Sequence, residues 1–192
     1  METQEVVEQQ QYLTFMLAGE EYAISILNVR QIVEYHTVTR VPKTPKWTRG
    51  VINLRGAVVP VVDIAVKFGL EERPVTRTTC IIIIETRSAD QNATIGVIAD
   101  AVSQVIDLRP ADIYEPPSFG TRVQVDYLLG MVPMGSKFVL LLNLEKVLSS
   151  EELVSLTHLP ESTPQEQPSI GSIPMEAMET GASGDHKQHD TV

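Results

Sequence analysis

The chain has one cysteine in 192 residues, so no intramolecular disulfide can form. Cys80 lies in the run T-C-I-I-I-I, which makes it a small buried hydrophobe and predicts a reducing cytoplasm. No apolar stretch approaches the roughly 18 residues that a membrane-spanning helix needs. The opening M-E-T-Q-E-V-V-E-Q-Q-Q is acidic and polar, where a secretion signal would carry a basic end and an apolar centre. The vocabulary of catalysis is missing too. There is no H-E-x-x-H, G-x-S-x-G, G-x-x-x-x-G-K-[ST] or G-x-G-x-x-G, and His36 is the only histidine ahead of the C-terminal region. Asp63, Asp100 and Asp107 sit at strand ends and turns, where acids cap and close the chain. Nothing predicts an enzyme, a cofactor or a metal; His186 and His189, three apart near the C-terminus, read as solvated.

Basic excess is absent as well, which removes the electrostatic footprint of a nucleic-acid binder. The net charge is −10, and residues 151–192 hold eight acids against one lysine, leaving only −3 on residues 1–150. Within that nearly balanced body one stretch stands apart. From His36 to Val61 there is no acid, yet Arg40, Lys43, Lys46, Arg49 and Arg55 fall there. Such cations meet an acidic partner, or they are balanced by acids from elsewhere in the fold.

What the chain does have is period-two patterning. Tyr12 to Ala18 and Tyr22 to Ile26 read as a hairpin about Gly19-Glu20-Glu21; Leu27 to Tyr35 fits a further strand or a helical turn, and Val29, Ile32, Val33 and Tyr35 favour the strand. Thr37 to Trp47 is a loop fixed by Pro42 and Pro45. In R-G-V-I-N-L-R-G-A-V-V-P-V-V-D-I (Arg49 to Ile64), a strand over Val51 to Arg55 reverses at Gly56 and returns over Ala57 to Val62. Pro60 lacks an N–H, which predicts an edge or a bulge. A short helix follows from Asp63 to Phe68, and Glu71 to Arg77 is a polar linker. The order then repeats: a strand from Thr79 to Glu85, a polar turn over Thr86 to Asn92, and strands over Thr94 to Ile98 and Ala101 to Leu108. A proline-bearing loop spans Arg109 to Arg122. Tyr127 to Val132 and Phe138 to Leu142 form a last hairpin, and a helix start at Asn143 and a capping box, Ser149 to Glu152, follow it.

Two segments mark the repeat. Val29-Arg30-Gln31-Ile32-Val33 resembles Val102-Ser103-Gln104-Val105-Ile106, and Val59 to Ile64 resembles Val139 to Leu144. The patterning predicts an all-β chain with short helices, built as two five-stranded barrels from tandem halves. Residues 1–10 read as disordered, 11–157 as the folded body, and 158–192 as a disordered acidic tail. Arg55, on a rigid hairpin, has two readings: a guanidinium for a partner's polar groups, or a solvated charge that keeps a strand edge from aggregating. Trp47 and the proline loops motivate an alternative, a barrel that binds a small molecule.

The stretch V-T-R-V-P-K-T-P-K-W-T-R-G-V-I-N-L-R-G-A-V-V-P-V-V-D (Val38 to Asp63) resembles the signature of the CheW family of chemotaxis adaptors. Y-L-T-F-M-L-A-G-E-E-Y-A-I-S-I and V-I-A-D-A-V-S-Q-V-I support the resemblance, which runs from Gln11 to about Leu156. It implies two intertwined SH3-like barrels with both chain ends in one barrel. It implies a non-catalytic adaptor between methyl-accepting chemotaxis receptors and the regulatory domain of the histidine kinase CheA, at the array beneath the inner membrane. Family position implies receptor contacts at Arg55, Asn53, Gly56, Val29 and Gln31. Family members often carry an acid where this chain has Gln31. Kinase contacts are expected around Val97, Val102, Val105 and Met131. The acidic tail is longer than the family's usual terminus, and no receiver domain follows.

Overall fold

Runs rich in valine, isoleucine and threonine favour the pleated backbone, and they account for nearly every regular element of the computed structural model. The structure describes residues 9–88, 91–116, 125–149 and 152. In chain order these form β1 (Gln10–Leu17), β2 (Glu20–Ser25), β3 (Val29–Glu34), β4 (Thr48–Leu54), β5 (Ala57–Val62), α1 (Ile64–Lys67), β6 (Cys80–Ser88), β7 (Gln91–Ala99), β8 (Ala101–Leu108), β9 (Leu128–Met134), β10 (Lys137–Leu142) and α2 (Leu144–Val147). A single 3-10 turn, Ile26–Asn28, precedes β3. The expected tail from 158 lies outside the described residues, as do residues 1–8; Gln10 already belongs to β1, paired with Leu108.

The strands make two five-stranded sheets, in the orders β8-β1-β2-β10-β9 and β3-β6-β7-β5-β4. Replacing each strand of the first by the one five places away in the chain reproduces the second. The tandem halves are therefore real, but they do not each fold into their own barrel. The first half lends β1–β2 to the sheet of β8–β10, and the second lends β6–β7 to the sheet of β3–β5. This is the intertwined connectivity that the family resemblance implies. We call the sheet holding the first and last strands the terminal barrel and the other the central barrel.

Each sheet curls over a small core of its own. In the central barrel Val59, Val61, Ile81, Ile83 and Ile98 are buried, and Val33, Val38, Ile52 and Leu54 pack on them from the two edge strands and the crossing segment. In the terminal barrel Val139, Leu141, Ile106, Ile113, Val132 and Met134 occupy matching places. A larger core lies between the barrels, where Phe15, Tyr22, Ile82, Ile84, Ile95, Val97 and Leu142 are buried together. Faces of β1, β2, β6 and β7 meet there, so the exchanged hairpins supply the joint.

Matching contacts repeat across the halves. The Val51 N–H donates to the Thr39 carbonyl and the Thr39 N–H to the Val51 carbonyl, at 2.8 and 2.9 Å; Met131 and Tyr114 exchange the same pair of bonds at 2.8 and 2.9 Å. Gly50 makes the first crossing feasible, since a Cβ there would stand 2.0 Å from the Thr39 oxygen. Gly130 serves the second, where a Cβ would meet the Tyr114 oxygen at 2.9 Å. Asp63 caps α1 by accepting from the Val66 N–H at 3.1 Å, as Asn143 caps α2 by accepting from the Lys146 N–H at 3.3 Å.

Three local expectations need correction. Pro60 lies in an interior strand, opposite Val51 and away from the bulge between Thr48 and Gly50. Val51 spends its hydrogen bonds on Thr39, and the β5–β7 ladder begins only at Val61, so no donor is missed at Pro60. The polar run Thr86 to Asn92 is mostly ladder, with Thr86 opposite Ala93 and Ser88 opposite Gln91. Thr86 is buried despite its hydroxyl, which is why polarity misread it as turn. Finally, β4 ends at Leu54 and Arg55 belongs to the turn. The capping box does form: the Ser149 N–H donates to Glu152 Oε2 at 2.9 Å, and the Ser149 hydroxyl accepts from the Glu152 N–H at 3.3 Å.

Candidate partner-binding site

The β4–β5 hairpin of the central barrel is exposed at its turn end and buried at its base. Asn53, Arg55, Gly56, Ala57 and Val58 are all exposed, whereas Val59 to Val62 are buried. Arg55 and Gly56 have φ of +54° and +90°, the two left-handed residues of a type I′ turn. Asn53 Oδ1 accepts from the Gly56 N–H at 2.8 Å and ties the turn shut. The carboxamide oxygen of Asn53 is thus engaged inside the hairpin, while the Arg55 guanidinium has no ion-pair partner among the described residues. In the matching β9–β10 turn the position of Arg55 is taken by Gly135, with φ of +62°.

On β3, Val29 and Gln31 alternate with outward Arg30, Ile32 and Glu34, and both are half-buried. A register shift between them makes Arg30 the extra residue, and its guanidinium pairs with Glu85 of β6. The two outward apolar residues nearest in character to a contact surface are Ile32 and Val58, 44% and 57% exposed. Sequence reasoning passed over both. Their signal was weak, because valine and isoleucine inside apolar strands read as core.

The positive stretch is only partly free. Arg49 is largely buried and pairs with Glu72, with Asp63 at 3.9 Å. Burial pulls against its charge, but Glu72, Tyr35 and Asp63 together hold its pKa above the ordinary arginine value. Asp63 is pushed up by burial, which outweighs the Val66 N–H and the Arg49 charge. Arg40, Lys43 and Lys46 are exposed and, with Arg55, remain unpaired among the described residues. Trp47 packs on the inter-barrel core, with the Lys67 ammonium 4.4 Å from its ring centre. Lys67 also pairs with Glu152; burial would raise that carboxyl, but Lys67 and Ser149 more than offset it and hold its pKa below the ordinary value.

The four residues expected at the kinase do not lie together. Val97 belongs to β7 of the central barrel and has 0% exposure within the inter-barrel core. It cannot touch a partner, and its place in that set is corrected here. Val102 is half-buried against the same core, on β8. Val105 is 47% exposed on β8, and Met131 is half-buried on β9, so both face outward parts of the terminal barrel's edge strands. No group of three or more histidine, cysteine, aspartate or glutamate side chains is arranged to hold a metal among the described residues. No described helix is long and apolar enough to cross a membrane.

The sequence profile of the CheW-like domain matches residues 11–152. A chemotaxis protein CheW from Klebsiella aerogenes is 35% identical over 153 residues, which covers 80% of this chain and 90% of that protein. Another from Treponema pallidum is 30% identical over 156 residues, 79% of this chain and 89% of that protein. Among solved structures, the scaffolding protein TtCheW from Thermoanaerobacter tengcongensis is similar with a TM-score of 0.67 at 28% sequence identity. That likeness covers 79% of this chain and 96% of that one.

Proposed function

The chain belongs to the CheW-like family of non-catalytic chemotaxis scaffolds, and we propose that it couples methyl-accepting chemotaxis receptors to the histidine kinase CheA. A protein without chemistry raises a kinase's output by holding it in an arrangement it rarely adopts alone. That needs two surfaces engaged at once, so that the second contact forms at high effective concentration. The receptor tip meets the central barrel at Arg55, with Val29, Gln31, Asn53 and Gly56 around it. The regulatory domain of the kinase meets the edge strands of the terminal barrel, at Val105 of β8 and Met131 of β9, with Val102 packed under β8 against the inter-barrel core. The working place is the receptor array beneath the inner membrane.

One observation carries this reading. Arg55 stands at a left-handed turn position, disfavoured for any residue with a Cβ, which the other half fills with Gly135. A long cation is kept where the backbone would be relaxed by glycine. Its fork suits carboxylates and carbonyls on a partner. The test is pairwise binding by calorimetry and sedimentation. Arg55→Glu should abolish receptor binding and leave CheA affinity within a few-fold; Val105→Glu should do the converse. Neither single variant should activate kinase in reconstituted arrays. If folded Arg55→Glu protein weakened both partners equally, the two-surface reading would be wrong.

A further inference from the structure

We propose that the cleft beside the 40–49 segment binds a small organic anion through a phosphate or carboxylate group. The cleft has a volume of about 390 Å³, within the lower part of the range of about 300–1,000 Å³ typical of small-molecule sites. Val41, Pro45 and Val66 give it an apolar wall, and Arg40 and Lys46 bring exposed, unpaired ammonium and guanidinium groups to its lining. Thr48 also lines it. That residue is 8% exposed and its hydroxyl has no hydrogen-bond partner among the described residues. A buried hydroxyl without a partner is disfavoured, so Thr48 holds hydrogen-bonding capacity in reserve at the cleft.

The lining already shows its taste in ligands. Glu72, from the polar linker and 56% exposed, places its carboxylate on Arg49 at the cleft. Glu72 thus acts as an internal oxyanion on one of three cations, and Arg40 and Lys46 stay open to a second one. Charge-assisted bonds to guanidinium and ammonium groups are the strong class of hydrogen bond.

The fold itself does not require this lining. Eighty positions on, where the terminal barrel repeats the architecture, Lys46, Thr48 and Arg49 are replaced by Asp126, Leu128 and Leu129. The same strand pairing, glycine crossing and helix cap form there with an acid and two leucines. Cations and a buried hydroxyl at these places are an addition to one barrel, not a condition for building it.

Trp47, the sole tryptophan, lies in the chain between Lys46 and Thr48 and gives a direct readout. The full chain would be titrated at constant ionic strength with inorganic pyrophosphate and, separately, with citrate, by Trp47 fluorescence and calorimetry. Saturable binding of one or both is expected, and the two arms decide between phosphate and carboxylate. The Arg40→Ala, Lys46→Ala double variant should bind about tenfold more weakly or worse. Glu72→Gln should bind several-fold more tightly, and Thr48→Val should weaken binding without lowering the melting temperature. Arg55→Ala removes a cation from the same barrel and should leave affinity unchanged. The proposal is overturned if neither anion saturates, or if Arg55→Ala weakens binding as much as the cleft variants. Saturation by an oligoglutamate peptide but by neither small anion would overturn it in favour of a protein-docking surface. Receptor binding and anion binding are separate readouts, so either can fail alone.

Discussion

Replacing Arg55 by glycine separates the turn from the side chain it carries. The backbone at Arg55 has φ of +54°, and its counterpart Gly135 has +62°. A left-handed conformation costs a residue with a Cβ about 1–2 kcal/mol. Glycine loses about 0.5–1 kcal/mol more conformational entropy on folding than alanine. The difference runs from zero to about 1.5 kcal/mol in favour of Arg55→Gly, since the exposed side chain gives up no packing. At an ordinary strand position the same exchange would instead lose about 0.5–1 kcal/mol. Urea denaturation reads this directly: the midpoint should rise or hold, with the slope unchanged. Arg55→Ala keeps the left-handed penalty and should stay within about 0.5 kcal/mol of the parent. Both variants should lose roughly 2 kcal/mol or more of receptor affinity, as anchors do. A less stable Arg55→Gly protein would refute the strained-turn argument. Full receptor affinity in either variant would remove Arg55 from the site.

Other substitutions test the frame around it. Gly50→Ala puts a Cβ against the Thr39 oxygen, whose residue is hydrogen-bonded twice to Val51, so a loss of about 3 kcal/mol or insoluble protein is expected in a denaturation series. Asp63→Asn keeps an acceptor for the Val66 N–H, as Asn143 shows in the other half, whereas Asp63→Ala should lose about 1 kcal/mol with the cap. Because burial raises the Asp63 pKa, its folded form holds a proton longer than the unfolded chain. Its stabilising contribution is present at acid pH and lost as pH rises from the ordinary carboxylate value through the folded one. Stability curves should therefore show Asp63→Asn gaining on the parent across that window and level above it. Val97→Asp should unfold the protein, while Val105→Asp should leave the melting temperature alone and reduce kinase binding.

Most strands were legible because each is short, β-branched and bounded by a local turn signal. The helix caps were legible for the same reason, since Asp63, Asn143 and Ser149 act within three residues of themselves. Partnership between distant segments was not. β1 pairs with β8 about ninety residues away, and nothing in either strand states which barrel it will join. Val97 and Val105 are alike in sequence, but β7 is covered on both sides and β8 is an edge strand. Arg49 and Arg40 are likewise indistinguishable until Glu72, from beyond the next helix, takes one of them.

The exchange of hairpins also dictates an order of assembly as the chain is synthesised. All five strands of the central barrel lie between Val29 and Ala99, an uninterrupted piece of polypeptide. It can close as soon as that piece has left the ribosome. The β1–β2 hairpin is made first yet has no sheet to join until β8 to β10 arrive, 76 to 117 residues after its last residue. During that interval Tyr12 and Ala23, which end up buried with Leu108, Val132, Val139 and Leu141, lack the strands that will enclose them. Long-range pairing of this kind is slow and leaves apolar surface open to aggregation. A premature stop after β7 would therefore leave one barrel with all its strands and one orphaned hairpin, which is an aggregation-prone product.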